Sequence, residues 1–175
     1  LWSKVYQQIH LGLVEMQDEQ GKVPIGISFP EYVIGEKYSL LGGKCRLFAQ
    51  DEATLVRFDV AKCLDRLSDY VHWTRLREVP NTVKGYAIYQ RLQPKTNPER
   101  LARRYASRHP VDYDHALQRY SSMAQVRVSS PFIRLKSLSS EQSFCLWIKK
   151  TSISEPFIEG FSTYGLSAKA TVPEF

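Results

Sequence analysis

Four kinds of residue in this chain could act on a charged substrate. His10 lies beside an apolar helical stripe, one turn from Tyr6, where a histidine is most often a satisfied boundary residue. Ser137 and Ser139 fall in "KSLSS", where a strand-like alternation gives way to a polar loop that suits turn formers. Tyr164 precedes Gly165 in "FSTYGLS", and packing plus a turn would account for both. Singly, each has an ordinary structural explanation.

The fourth kind is harder to explain that way. Arg91 to Arg108 holds six cationic side chains and one carboxylate. Arg100, Arg104 and Arg108 are spaced by four and Arg103 lies three from Arg100, so they share one helix face while Leu101 and Tyr105 lie on another. A merely solvated face would normally intersperse glutamates to mute the field. Only Glu99 is present, in the first turn, where the helix dipole favours it. The planar guanidinium fork can donate two parallel hydrogen bonds to a phosphate, which favours nucleic acid over plain solvation. Arg91 and Gln93 are two apart on an extended segment and point to one side. They are the side-chain types that read guanine and adenine edges bidentately, although Arg-x-Gln is common on exposed strands.

Net charge sharpens the point. Residues 1–80 carry 10 basic and 11 acidic side chains, and residues 81–175 carry 14 and 7, so the net charge of +6 belongs to the second half. A field confined to one region suggests a polyanionic partner there. The rest is ordinary globular composition, 43% hydrophobic and 24% charged, without a membrane-length apolar run or a signal peptide. Three widely spaced cysteines, Cys45, Cys63 and Cys145, make no CxxC pair, which points to a reducing cytoplasm. Of four histidines only His109 and His115 are close in sequence, and we expect neither a metal nor a cofactor.

The elements that must position these residues follow from periodicity. Trp2, Val5, Tyr6, Ile9, Leu13 and Met16 recur at helical spacing, and Gly21 is expected to end that helix. "IGISFP" and "KCRLFA" read as short strands, and Asp51 as the cap of a helix turning Leu55 and Phe58 inward. "VHWTRLREV" and "GYAIYQRLQ" read as strands flanking a turn at Pro80–Asn81. The order helix, strand, strand, helix, strand becomes a split βαβ, ferredoxin-like arrangement if one strand precedes it. The chain opens at Leu1, without methionine and inside a helix, so such a strand is expected ahead of it. Beyond the turn, Asn97 caps a helix with Pro98 at its first position, and Pro110 stops it. A second helix is expected from Asp112 to Met123 with Ala116, Leu117 and Tyr120 inward. "PFIRLKS", "FCLWIKK" and "FSTYGLS" read as three closing strands. The class is α+β, divided as residues 1–80 and 81–175, the first domain carrying His10 and the second the arginine helix and serine loop.

Together, "RLQPKTNPERLARRYASRH", "SPFIRLKSLSSEQSF", "FSTYGLS" and "IGISFP" resemble the CRISPR repeat-processing endoribonuclease of the type I-F system, over nearly the whole chain from His10 onward. By that resemblance the first domain is ferredoxin-like and the second supplies an RNA-grasping helix. Members of that family grip a hairpin in the CRISPR repeat, cut at the 3′ base of its stem without metal, and retain the product. The resemblance makes His10 the catalytic histidine, Ser137 the serine that holds the attacking 2′-hydroxyl, and Tyr164 the tyrosine near the catalytic centre. It makes Arg91 and Gln93 the base readers, Arg103, Arg104 and Arg108 stem-gripping arginines, and Phe144 the ring that stacks at the stem's base. Arg100 from the same helix and Ser139 from the same loop join the RNA-binding set. Ser107 stands where the family can carry another arginine, which would weaken or redistribute the grip. The implied partners are the repeat stem-loop and other subunits of the type I-F RNA-guided surveillance complex, with no membrane.

The chemistry is coherent on its own terms. An RNA 2′-hydroxyl already adjoins its own phosphorus, so cleavage needs geometry and proton transfer more than an imported nucleophile. Histidine, with a reference pKa of about 6.5, accepts a proton near neutrality. An arginine can offset the charge on the phosphorane, leaving a 2′,3′-cyclic phosphate and a 5′-hydroxyl. The A-form major groove is too deep and narrow for most side chains, but it opens toward the ends of a short stem. Three other readings compete: a hairpin-binding subunit that no longer cuts, a serine hydrolase, and a DNA-binding regulator. The hydrolase lacks a G-x-S-x-G elbow and any evident carboxylate to orient the histidine.

Overall fold

The computed structural model describes residues 1–94, 98–121, 128–138 and 140–175. It opens with helix α1 (Trp2–Val14), which has neither a side-chain cap nor charges complementing its ends. Burial holds it instead: Val5, Tyr6, Ile9 and Leu13 are all buried along one stripe, and packing of such a stripe supplies most helical stability in proteins. The helix stops before the expected Gly21, whose φ of +72° serves a later turn.

Strand β1 (Gly26–Ser28) is followed by the small hairpin of β2 (Val33–Ile34) and β3 (Ser39–Leu40), and then by β4 (Arg46–Phe48). β1 and β4 fall in the two short apolar runs expected to be strands, and they pair antiparallel with each other. The Asp51 side chain accepts the Thr54 amide and caps α2 (Glu52–Phe58), which sends Phe58 into the core. Asp59, left-handed at φ 47°, ends α2 and starts α3 (Val60–Leu64), and a short 3-10 turn (Asp65–Leu67) follows.

The main sheet has the order β6-β7-β5-β8, all antiparallel, from β5 (Gly85–Leu92), β6 (Phe132–Lys136), β7 (Ser143–Ile153) and β8 (Val172–Glu174). Ala87, Tyr89, Ile133, Leu135, Leu146 and Ile148 alternate onto one buried face, and α1 packs against β6. Phe29 lies among Trp2, Tyr6 and Tyr89 in edge-on and stacked contacts, and its carbonyl accepts the Tyr89 hydroxyl at 3.1 Å.

The remaining helices, α4 (Pro98–Ala106) and α5 (Tyr113–Ser121), pack on each other. Ala102 and Ala116 are buried, and Tyr105 meets Tyr120 edge-on at 6.2 Å. Asp112 caps α5 by accepting the His115 amide at 2.7 Å, and that bond, with the His115 ring, holds its carboxyl below the usual range. The expected cap Asn97 and the end of the second helix at Met123 lie outside the described residues.

The class is mixed helix and strand, as expected, with three differences in detail. Residues 71–79 form no strand: Leu76 and Val79 are each 41% exposed, and the alternation finds no sheet to join. "FSTYGLS" is a turn whose backbone partners come singly from Ile27 and Tyr89, and only Phe161 makes a bridge, to Val23. The last strand is instead β8, an edge strand, where Pro173 costs no interior hydrogen bond. The chain gathers into two compact units, residues 1–92 with 130–175, and residues 93–129. That grouping differs from a division at residue 80, because α1 packs against β6 and Val23 bridges Phe161, which ties the first eighty residues to residues 130–175.

Candidate functional site

In the larger unit, three of the residues singled out in the sequence meet through their rings, and a fourth, Arg91, lies over two of those rings. His10 stacks on Tyr164 with centroids 4.2 Å apart and planes 8° from parallel. Phe144 meets Tyr164 edge-on at 6.5 Å. The Arg91 guanidinium lies over both rings, 5.4 Å from Phe144 and 5.5 Å from Tyr164. Arg91 reaches them because it shares the core-facing side of β5 with Ala87 and Tyr89, at the end where that side emerges into solvent.

The hydrogen bonds at His10 fix its chemistry. Nδ1 lies 2.8 Å from the Thr163 carbonyl oxygen, which can only accept, so Nδ1 carries the proton. In the neutral ring Nε2 then holds the free lone pair, poised to take a proton. The next residue is pinned as well: the Tyr6 hydroxyl donates to the Tyr164 carbonyl at 2.7 Å. Tyr6 is fully buried, and burial, with smaller effects from Cys45 and Tyr164, pushes its phenol well above the usual tyrosine range. It stays a neutral donor at any working pH.

The turn carrying Thr163 and Tyr164 depends on Gly165. Its φ is +66°, and a Cβ there would stand 2.4 Å from Cγ1 of Ile27. Its carbonyl accepts the Ile27 amide at 2.9 Å and its amide donates to Ser162 at 2.7 Å. Only glycine combines that backbone with that approach.

Ser137 follows β6 directly and belongs to the connection into β7, the strand that carries Phe144. Its amide donates to the Gln142 carbonyl at 2.9 Å, and its Oγ accepts the Ser140 amide at 3.3 Å. Ser139 lies outside the described residues. Among the described residues no three His, Cys, Asp or Glu side chains gather as a metal ligand set.

In the smaller unit, Arg100, Arg103, Arg104 and Arg108 are all exposed, on the side of α4 and its last turn away from the buried Ala102. Arg119 donates to the Tyr105 hydroxyl at 3.2 Å and lies 4.9 Å over that ring, so this arginine braces the helix pair. Gln93 is exposed, one residue past β5.

Sequence reasoning missed Thr163 and Tyr6 as supports of this site. Tyr6 had one usable signal, its i, i+4 spacing to His10. Thr163 had none, because it contributes a backbone carbonyl.

The sequence as a whole answers to one family model, described as CRISPR-associated protein (Cas_Csy4), which matches residues 1–175. The chain belongs to the Cas_Csy4 family. It is 34% identical over 157 residues to a protein from Escherichia coli (strain UTI89 / UPEC) named CRISPR-associated endonuclease Cas6/Csy4, covering 89% of this chain and 82% of that one. It is likewise 34% identical over 179 residues to a protein of the same name from Pseudomonas aeruginosa (strain UCBPP-PA14), covering 100% of this chain and 90% of that one. Family membership agrees with the type I-F resemblance read from the arginine helix, the serine loop and the terminal turn. No helix of the described residues is long and apolar enough to cross a membrane.

Proposed function

We propose that this member of the Cas_Csy4 family is an endoribonuclease of CRISPR RNA maturation. It binds the stem-loop of the repeat, cuts at the 3′ base of the stem, and keeps the product. The observation that carries this reading is the His10 ring, fixed by Thr163 and Tyr164 with Nε2 left to accept a proton.

The step balances without an added nucleophile. His10 Nε2 takes the proton of the 2′-hydroxyl, and the 2′-oxygen bonds to the adjacent phosphorus. The bond from phosphorus to the 5′-oxygen breaks, and that oxygen takes a proton from water. The products are a 2′,3′-cyclic phosphate and a 5′-hydroxyl. Ser137 holds the 2′-oxygen by a hydrogen bond, Tyr164 keeps the imidazole in plane, and Phe144 stacks on the last base pair of the stem. Arg91 and Gln93 read base edges, while Arg100, Arg103, Arg104 and Arg108 grip phosphates, with Ser139 added from the loop. No metal takes part, since the nucleophile belongs to the substrate and needs only a base and a fixed geometry.

The same reading extends to fold and setting. α1, β1, β4 and α2 stand in the order helix, strand, strand, helix that a ferredoxin-like unit uses, while the closing strand expected at residues 71–79 is not formed. Residues 81–175 supply the RNA-binding half, and the protein works in the cytoplasm beside other subunits of the type I-F complex.

The test is a repeat hairpin incubated with the protein and EDTA, beside the same hairpin with a 2′-deoxy nucleotide at the cut site. Cleavage should survive EDTA and stop with the deoxy substrate. Robust cutting of the deoxy substrate rules this chemistry out, and binding without any cutting leaves a hairpin-binding subunit.

A further inference from the structure

The main sheet has two faces of opposite chemistry. Alternation sends Ile133 and Leu135 of β6 into the core, so Phe132, Arg134 and Lys136 stand on the other side and are all exposed. Register places Trp147 of β7 opposite Phe132, their rings 4.5 Å apart, and Lys149 two positions further along the same face. Neither Phe132 nor Trp147 is buried, and the half-buried Trp147 is not among the residues packed against the core cluster. β5, β6 and β7 contain no aspartate or glutamate at all. Among the described residues none of the three cations forms an ion pair.

A sheet face of this kind is costly unless something uses it. Phe132 remains 44% exposed beside a half-buried tryptophan, and the cations around the pair have no counter-charge on the strands. We propose that this face binds a single-stranded RNA segment. One base stacks on the Phe132–Trp147 pair, and the neighbouring phosphates lie on Arg134, Lys136 and Lys149. Every base has a π-face, so such a platform tolerates sequence, and the cations track the backbone. From the level of Arg134 to that of Lys149 is four residues along β7, about 13 Å, enough for two or three nucleotides. A duplex does not fit the same chemistry, because its base faces are already stacked on one another and leave nothing for the ring pair to stack on. An acidic protein would meet the cations but make little use of the ring pair.

The inference leans on the proposed function in one respect: a hairpin cut from a longer transcript always has single strand beside it. The probes are therefore a short oligouridine alone, the bare repeat hairpin, and that hairpin with a single-stranded uridine flank. We expect the wild type to bind oligouridine at low salt and the flanked hairpin more tightly than the bare one. Phe132→Ala should weaken oligouridine binding roughly tenfold, the low end of what losing one stacking ring does. Arg134→Glu with Lys149→Glu should abolish it and erase the advantage of the flank. Both variants should bind and cut the bare hairpin as the wild type does, which also reports that they fold. Should the charge reversals unfold the sheet, Phe132→Ala decides, since that ring is already largely in solvent. A wild type that ignores oligouridine and the flank overturns the proposal even if the bare hairpin is cut. So does displacement by polyglutamate more effectively than by oligouridine, which would mark a protein surface. Loss of bare-hairpin cutting by the wild type would instead sink the proposed function.

Discussion

His10 and Arg104 sit on helices built by opposite means. α1 has no cap bond and no favourable end charges, yet four of its residues are buried. α4 has Glu99 in its first turn and Arg103 and Arg104 in its last, but buries only Ala102. The first helix is held by the rest of the unit, and the second is stabilised largely by its own dipole complement and one partner helix. The difference suits the roles proposed for each. A proton-transfer atom misplaced by an ångström loses much of its effect. A phosphate grip works through charge, which falls off gently with distance, so exposed and adaptable arginines serve it well.

The largest expected effect breaks the first of these. His10→Ala should slow single-turnover cleavage by about 10²–10⁴, the usual range for a lost general base, while hairpin affinity stays nearly unchanged. An equal loss of binding would make His10 a structural residue, and rapid cutting would remove it from the mechanism.

A smaller effect comes from behind the site. Gly165→Ala forces a side chain onto a left-handed backbone and against Ile27. Strain of that kind costs about 1–3 kcal/mol. For a chain of this length each kcal/mol lowers the melting temperature by about 2–4 °C. Cleavage should fall as well, because Thr163 and Tyr164 orient His10, whereas binding to an unrelated RNA duplex should hold. A melting curve and cleavage rate both matching wild type would show that the turn does not position the base.

The same contrast explains what the sequence made legible. α1 announces itself because tertiary burial imprints a stripe at helical spacing, and the Asp51 cap is visible because capping is local chemistry. β7 could be read from "FCLWIKK" for the same reason, since its alternation matches one buried face. Residues 71–79 alternate too, but a strand needs a partner, and pairing is not written in the segment itself. β8 was hidden by its brevity and by Pro173, which only an edge position allows. The family resemblance named His10, Tyr164, Phe144 and Arg91 without their contacts. His10 and Tyr164 lie far apart in the chain, and the bond that fixes the tautomer ends on a backbone oxygen.

The smallest effects separate two kinds of arginine, one from each unit. Arg91 lies over the rings of Phe144 and Tyr164, whereas Arg104 stands exposed on α4. Arg91→Ala should relax the choice between the repeat hairpin and one with its lower base pairs exchanged, by roughly ten- to a hundredfold, the value of a good bidentate contact. Arg104→Ala should weaken both hairpins alike and flatten the log–log dependence of affinity on salt by about 0.7–0.9, one phosphate contact bracketed by single-strand and duplex values. Affinities for the two hairpins across several salt concentrations measure both quantities at once. If Arg91→Ala lowers the two affinities equally, Arg91 is one more phosphate contact and the ring cluster holds it for charge alone. If Arg104→Ala alters neither affinity nor slope, α4 is a solvated face and the grip on the stem must come from elsewhere in the chain.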